Sequence, residues 1–320
     1  MNGFDDKKDK RDIELAFKGE GNIVASSSVI TRSEMRTERQ GGGGNNGGLL
    51  RLDRVAVRTP ISGRELWSNL SMTLSEGDSV LVIGPSGCGK SSLLRAVAGV
   101  WTSGQCEIIA PPHDDTLFLP QSPYMPLGSM RAQLLFPASA GESEDTARDI
   151  GGSGGSGGEG DDNHHNVYRS FDDEALLSAL DAAGLGELPD RFAHEGGLNA
   201  VVEWADVLSA GEQQRVAFAR LFLRRPVCAF LDEATSALDE RGEAAMYSLL
   251  KRHVRGVVSV GHRSTLMKYH SHVLRFVPAA EGVEDGGGDD IDGVSGGGGS
   301  WVLERMEEYR RSANGALHMF

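Results

Sequence analysis

The chain has 320 residues, 43 of them glycine, and a formal net charge of −14. Residues 141–174 and 281–300 account for all of that charge, so the rest is neutral by count and shows no basic stripe for nucleic acid. Three cysteines at no metal-like spacing favour a reducing compartment over a disulfide framework. We expect no signal peptide, because the N-terminus is polar, and no membrane span, because the apolar runs are far shorter than the roughly 20 residues that one needs.

Residues 1–48 are charged, then rich in serine, threonine and glycine, and we predict a disordered N-terminal segment there. "LLRLDRVAVRTP" (49–60) alternates, which predicts a small antiparallel β portion near residues 49–80. The Gly-rich acidic tracts at about 141–170 and 279–300 predict flexible insertions, and "DDNHHN" (161–166) in the first predicts a solvated loop rather than a metal site. Residues 306–320 are expected to be a C-terminal tail.

The apolar strand "SVLVI" (79–83) precedes "GPSGCGKS" (84–91), and the sequence after it has the apolar spacing of a helix. This order fits the phosphate-binding pattern G-x-x-x-x-G-K-[ST]. Loop N–H groups would face phosphate oxygens, Lys90 would reach the β- and γ-phosphates, and the Ser91 hydroxyl would bind Mg²⁺. The sequence therefore predicts binding of a nucleoside triphosphate, with ATP as the expected ligand.

Later segments alternate strand and helix signals. "GSMRAQLLF" (128–136) and "FDDEALLSALDAAGL" (171–185), the latter capped by Asp172 or Asp173, predict a helical lobe at about 122–205. "VCAFL" (227–231) and "GVVSVGH" (256–262) predict buried strands, with a helix from near Glu240 between them. This order predicts an α/β fold with a mainly parallel core sheet.

Two carboxylates, Asp232 and Glu233, follow the apolar residues of "CAFLDE" (228–233). Ligand sites of parallel sheets lie beyond the carboxyl ends of the strands. We therefore expect Asp232 to join the Mg²⁺ shell and Glu233 to act as general base toward the attacking water.

Five stretches in order resemble the nucleotide-binding domain of ABC transporters over about residues 49–305: "GPSGCGKSS", "LPQSPYMPLGS", "VLSAGEQQR", "FLDEATSALDE" and "SVGHRST". Flanking details such as "PYMPLGS", "GEQQR" and Trp204 are similar to subfamily D, the peroxisomal fatty-acyl half-transporters, and to their bacterial relatives. The resemblance implies a P-loop NTPase fold of the ABC ATPase type that hydrolyses ATP with Mg²⁺. It also implies a head-to-tail dimer of two such domains around two ATP molecules.

The family's site residues carry over by motif. In such a dimer the phosphate loop of one subunit faces the signature helix of the other, so Ser209 and the N–H of Gly211 would bind the partner's γ-phosphate. Gln121 matches the Q-loop residue that meets Mg²⁺ or the water and senses the transmembrane partner. His262 matches the switch histidine at the γ-phosphate, and Asp239 matches the D-loop aspartate at the dimer seam.

The complete expected set has four parts. The implied catalytic residues are Glu233, His262 and Lys90, and the implied Mg²⁺ ligands are Ser91, Gln121 and Asp232. The implied nucleotide contacts are Gly84, Pro85, Ser86, Gly87, Cys88, Gly89, Lys90, Ser91, Ser92 (at the α-phosphate), Gln121 and Asp232. The signature residues are Ser209, Ala210, Gly211, Glu212 and Gln213. Thr59 stands where many relatives have an adenine-stacking tyrosine, so stacking is expected to be lost or supplied elsewhere.

Members of this branch usually carry a membrane domain before the ATPase, whereas only about 48 polar residues precede it here. We therefore expect the transmembrane partner on another chain, or this chain to be part of a longer product. The first hypothesis is an ATPase subunit on the cytosolic face of a membrane, driving a partner for a lipid-like or fatty-acyl substrate, with a peroxisomal address by analogy only.

The alternative hypothesis is a soluble ABC-type, ATP-gated switch that clamps a protein or nucleic-acid partner without transport. A degenerate domain without turnover is disfavoured because Lys90, Asp232, Glu233 and His262 are all present.

Overall fold

The computed structural model describes residues 29–35, 48–137, 171–277 and 299–317. The expected Gly-rich insertions, with residues 161–166, and the first 28 residues of the chain lie almost entirely outside these ranges. Strands of the described residues are numbered in chain order: β1 (Ile30–Glu34), β2 (Leu50–Arg58), β3 (Glu65–Leu74), β4 (Ser79–Ile83), β5 (Gly104–Ala110), β6 (Thr116–Leu119), β7 (Cys228–Asp232), β8 (Gly256–Val260), β9 (His272–Val277) and β10 (Ser300–Arg305).

The smaller sheet has the spatial order β1-β5-β2-β3. β2 pairs antiparallel with β3 and β5, while β1 runs parallel to β5. Along β3 the buried residues Trp67, Leu70, Met72 and Leu74 follow a two-residue period over most of the strand, as in a sheet with one covered face. The predicted antiparallel β portion is confirmed.

The larger sheet has the order β10-β9-β4-β8-β7-β6. Adjacent strands of this sheet run parallel to each other, except that β10 pairs antiparallel with β9. All five residues of β8 are buried, because helices or the second sheet cover both faces of this sheet. The predicted α/β fold with a mainly parallel core sheet is confirmed.

Helices connect and cover these strands. In chain order they are α1 (Lys90–Val97), α2 (Met130–Leu135), α3 (Asp173–Ala182), α4 (Leu188–Arg191), α5 (Trp204–Val207), α6 (Ala210–Arg224), α7 (Glu240–His253) and α8 (Met306–Leu317). α2 to α4 lie within the predicted helical lobe, and α5 begins at its end. Of the two candidate caps for α3, Asp172 is the one used, since its carboxylate accepts from the N–H of Ala175 at 2.9 Å.

The core sheet separates two apolar clusters. Trp204, Phe218 and Tyr247 belong to the cluster on the side of the helical lobe, α6 and α7. Trp67 and Phe230 belong to the cluster between the core sheet, α1 and the smaller sheet. Burial on both faces fixes the strands, so the loops at their carboxyl ends are held on a rigid support.

The C-terminal residues 306–317, expected to be a tail, form α8. Met306 is buried, and Arg310 donates to the carbonyl of Met267 at 2.8 Å, so the start of this helix is attached to the domain. Among the helices in the described ranges, none has the length and apolar composition needed to cross a bilayer.

Strand β1 lies within residues 1–48, which the sequence predicted to be disordered. Only Ile30 is fully buried along Ile30–Glu34, so the apolar signal that sequence reasoning uses is nearly absent there. The strand is held by backbone pairing to β5 and by Arg32, whose side chain is 8% exposed. The Arg32 guanidinium donates to the carbonyl of Val97 at 3.0 Å and to that of Pro111. Long-range polar contacts of this kind leave no local sequence pattern.

Replacing Arg32 by methionine is expected to lower the free energy of unfolding by about 1–3 kcal/mol, because two carbonyls lose a donor in a covered position. Val97 is the last residue of α1, where a positive charge also favours the helix dipole. Urea denaturation followed by circular dichroism measures the change. Arg51→Met, at a side chain 60% exposed, is the control and should stay within about 0.5 kcal/mol. Equal effects of the two variants would show that Arg32 does not secure β1.

Candidate functional site

The loop between β4 and α1, residues 84–89, turns sharply at three glycines. Gly84, Gly87 and Gly89 have φ values of +153°, +77° and +99°, which side chains rarely adopt. A Cβ at Gly89 would come within 2.8 Å of the indole nitrogen of Trp67, so the loop also packs too closely for one there. Lys90 donates to the carbonyls of Gly84 and Pro85 at 2.9 and 2.8 Å, which places its ammonium group against the loop.

The two predicted carboxylates lie at the carboxyl end of β7, beside this loop. The hydroxyl of Ser91 donates to Oδ1 of Asp232 at 3.0 Å, so two of the three expected Mg²⁺ ligands are in contact. Glu233 has a φ of +50°, which is unusual for a residue with a side chain and marks a strained position. Its N–H donates to the carbonyl of Val260 on β8 at 3.0 Å, which holds this turn against the sheet.

Two further predicted residues lie beside the Glu233 carboxylate. The side-chain amide of Gln121 donates to its Oε2 at 3.1 Å. The imidazole Nδ1 of His262 lies 3.6 Å from its Oε1. These residues come from three separate loops after β6, β7 and β8, and the parallel register brings the strand ends to one edge of the sheet. The structure therefore brings Gln121 and His262 to one partly exposed carboxylate, whereas Lys90 lies against the phosphate loop. The catalytic roles of these residues stay predictions.

The residues present fit a magnesium nucleotide. A glycine loop at the start of α1 offers N–H groups and a helix dipole to phosphate oxygens. Ser91, Asp232 and Gln121 offer hard oxygen atoms, the ligands that Mg²⁺ prefers, and a few protein ligands suffice when phosphates supply the others. Ser92 is buried in the first turn of α1. Its contact with an α-phosphate stays a prediction.

The signature segment forms the start of α6. Ser209 is its N-cap, and Ser209 and Glu212 form a reciprocal capping box. Burial raises the pKa of Glu212, but hydrogen bonds from Arg191 and Ser209 outweigh it and hold that pKa below its ordinary value. Ser209 and Ala210 are exposed residues, and the Ser209 hydroxyl donates to a carboxylate oxygen of Glu212 at 2.9 Å. This is the composition of an anion site whose ligand would come from outside the chain.

Within the described residues, no hydrogen bond joins the signature segment to the phosphate loop. Instead, Gly211 approaches the D-loop, since a Cβ there would lie 3.1 Å from the carbonyl oxygen of Ala237. Gln213 donates within the lobe, to the carbonyls of Ala205 and Leu208 at 2.9 Å each. Asp239 caps α7 by accepting from the N–H of Gly242 at 2.8 Å, and its role at a dimer seam stays a prediction.

Comparison with known proteins identifies the family. A family model described as ABC transporter matches residues 67–236, which include the phosphate loop, the Q-loop residue, the signature and both carboxylates. The chain belongs to the ABC transporter family.

Relatives of this ABC domain include members of the D family. ABC transporter D family member 2, chloroplastic, from Arabidopsis thaliana is 39% identical over 298 residues, which is 87% of this chain and 40% of the relative. The lysosomal cobalamin transporter ABCD4 from Mus musculus is 38% identical over 262 residues, 80% of this chain and 36% of the relative. The chain thus spans about two fifths of the length of these curated relatives. The predicted resemblance to the D branch is confirmed.

A solved structure supports the fold. The ABC domain is similar to a bacterial Atm1-family ABC exporter with ATP bound, with a TM-score of 0.55 and 21% identity, over 75% of this chain and 39% of that one. This likeness concerns the fold alone.

The ABC domain also contains a buried polar network that sequence reasoning missed. Glu243 is fully buried on α7, and its carboxylate accepts from Thr235, Thr265 and Arg263. Arg263, which follows His262, also donates to the carbonyls of Ser236 and Leu238 at 2.6 and 2.8 Å. The network joins the histidine loop to the D-loop. A buried acid has no local signature, because α7 offers two acids in its first turn and only one points inward.

A second missed residue of the ABC domain is Gln214, which is 2% exposed. A signal for it existed, since Gln214 is a polar residue at the spacing of the buried Ala217, Phe218 and Leu221 on α6.

Thr59 lies in the exposed turn after β2, where its N–H donates to the carbonyl of Arg64 at 2.9 Å. Next to it, the indole N–H of Trp101 donates to the carbonyl of Arg58 at 2.9 Å. An aromatic ring is thus present beside the turn, although it comes from a different part of the sequence than the expected tyrosine.

Proposed function

We propose that the chain is the ATP-binding and ATP-hydrolysing part of an ABC transporter and pairs head to tail with a second ABC domain around two Mg-ATP molecules. The observation that carries this proposal is the convergence of Gln121 and His262 on Glu233, beside the contact between Ser91 and Asp232. Membership of the ABC transporter family supports the same activity.

The geometry supports a separate role in ATP binding or hydrolysis for each residue of the site. Lys90 and the loop N–H groups would hold the β- and γ-phosphates, and Ser91, Asp232 and Gln121 would hold Mg²⁺, which offsets phosphate charge when bound. Glu233 would accept a proton from water while the water oxygen bonds to the γ-phosphorus and the bond from that phosphorus to the leaving oxygen of ADP breaks. His262 would contact an oxygen of the transferred phosphate.

The proposed dimer rests on the outward-facing signature segment. Ser209 caps α6 as an exposed residue, while the phosphate loop of the same chain leads into α1, another part of the fold. A γ-phosphate held on one chain would therefore meet Ser209 and the N–H of Gly211 of a second chain.

A transmembrane partner would dock on the helical lobe. Three large apolar side chains there are exposed to 63%, 80% and 68%: Tyr124, Leu127 and Val201. A backbone bridge pairs Ser129 with Val201, which supports one continuous patch. Exposed apolar surface of this kind favours a protein partner. Tyr124 and Leu127 follow Gln121 closely in the chain, so a partner docked on them would lie close to the loop that contacts Glu233.

The transmembrane partner would bind and select the transported molecule. A lipid-like or fatty-acyl cargo rests on the resemblance of the sequence motifs to subfamily D, and the relative named a lysosomal cobalamin transporter makes cobalamin a second candidate. We propose a place on the cytosolic face of a membrane, with the peroxisome as an address by analogy only.

The test is phosphate release by the full chain with Mg-ATP, alone and with native membranes. We expect turnover that EDTA abolishes and that Lys90→Ala reduces by about 100- to 1,000-fold, because a charge that stabilises the transition state is lost. Lys251→Ala, at an exposed lysine on α7, is the matched control and should keep wild-type turnover. Absence of Mg-dependent release under both conditions would contradict the proposal. Turnover without sedimentation with native membranes would favour the soluble switch.

A further inference from the structure

Gln214 makes a buried junction between two loops of the site. Its side-chain Nε2 donates to the carbonyl of Gln121 and to the hydroxyl of Ser236, both at 3.0 Å. Its Oε1 accepts from the N–H of Ala237, also at 3.0 Å. Both donors and the acceptor of the amide are therefore occupied. By contrast, the neighbouring Gln213 donates only within the helical lobe.

The two loops held by Gln214 flank the proposed general base. Gln121 donates its own side chain to Glu233, and Ser236 and Ala237 follow Glu233 in the chain. The N–H of Ser236 also donates to the carbonyl of Glu233 at 3.0 Å, which closes the turn. A single buried amide thus fixes the chain after Glu233 and the loop that contacts its carboxylate.

Glu233 needs such support because its backbone is strained. A φ of +50° at a residue with a side chain persists only where the surroundings over-determine it. Loss of the Gln214 amide would remove the partner of a partly buried carbonyl, that of Gln121, and of a partly buried N–H, that of Ala237. Both loops would then relax toward other arrangements.

We propose that Gln214 is a positioning residue for ATP hydrolysis that holds Glu233 and Gln121 in register through its three hydrogen bonds. The inference rests on the proposed function. Within the part of the chain that the structure describes, no hydrogen bond joins Gln214 to the phosphate loop, so its role is to orient Glu233 and Gln121 and not to bind ATP.

Two substitutions at Gln214 test its bonds to the two loops individually. Gln214→Leu keeps the volume and removes every bond, and it is expected to lower kcat by about 10- to 100-fold, because small misplacements of a catalytic group have effects of this size. The Kd for Mg-ATP, measured in a Glu233→Gln background, should change less than about 3-fold, since the phosphate loop keeps its contacts. Gln214→Glu retains an acceptor for the N–H of Ala237 but loses the donor to the Q-loop carbonyl.

The control is Gln133→Leu. Gln133 is also fully buried, and its amide donates to the carbonyl of Pro126 inside the helical lobe. It reproduces the cost of removing a buried amide, and thermal unfolding checks that all variants fold. We expect kcat of Gln133→Leu within about 2-fold of wild type. A kcat for Gln214→Leu no lower than that of this control would overturn the proposal.

Hydrogen exchange provides a readout without turnover. Amide exchange around Ala237 should be at least about 10-fold faster in Gln214→Leu, and Gln214→Glu should keep that protection while the loop after Gln121 loses it. Ser236→Ala, which removes one acceptor, gives a milder variant if the others fail to fold. A wild-type chain without ATPase activity would contradict the proposed function alone. Unchanged exchange at both loops would contradict the positioning role alone.

Discussion

Glu233→Gln is expected to bind Mg-ATP, to hydrolyse it about 100- to 10,000-fold more slowly than wild type, and to accumulate as a dimer. The amide has nearly the shape of the carboxylate but cannot take a proton from water. Since Gln121 and His262 both lie beside this side chain, the nucleotide site itself should keep its arrangement. Light scattering with and without Mg-ATP measures the mass, and phosphate release measures turnover.

Matched variants make this result specific. Glu76→Gln, in the exposed turn before the amino end of β4, should hydrolyse ATP normally. Ser209→Arg in the Glu233→Gln background should prevent dimerisation, whereas Ser129→Arg, at the N-cap of α2, should not. A mutant that binds ATP yet stays monomeric would contradict pairing of two identical chains.

Glu243→Ala is expected to lower the free energy of unfolding by about 3–5 kcal/mol, a large share of a domain's stability. The carboxylate is fully buried and receives Arg263, Thr235 and Thr265. Its removal leaves the Thr235 and Thr265 hydroxyls without this acceptor and takes the countercharge from the partly buried Arg263 guanidinium, which keeps only its bonds to two carbonyls. Urea denaturation monitored by circular dichroism measures the loss.

Glu240→Ala is the control on the same helix, because Glu240 is exposed in the first turn of α7. It should cost no more than about 1 kcal/mol, the usual size of a helix-dipole contribution. The double variant Glu243→Leu with Arg263→Leu should recover part of the stability, since no unpaired charge remains. Similar losses for Glu240→Ala and Glu243→Ala would show that the buried network contributes little.

Patterns of residues were enough to predict the central features. The run "SVLVIGPSGCGKSS" predicts strand, loop and helix locally. Parallel pairing of two apolar strands brings Asp232, at the end of β7, and His262, just after β8, to one edge of the sheet. Interactions between distant residues were not accessible in the same way. Arg32, Gln214 and Glu243 act through hydrogen bonds to residues whose proximity depends on the completed fold.

The backbone strain at Glu233 has a consequence for how such a protein persists in a cell. A φ of +50° at a residue with a side chain costs on the order of 1 kcal/mol or more, which glycine at the same place would not incur. Keeping a carboxylate at this position therefore lowers the free energy of unfolding. As a result, a mutation in this loop can abolish activity without lowering the amount of protein in the cell. A protein level in cells that equals or exceeds the normal one is therefore no sign that this position is intact.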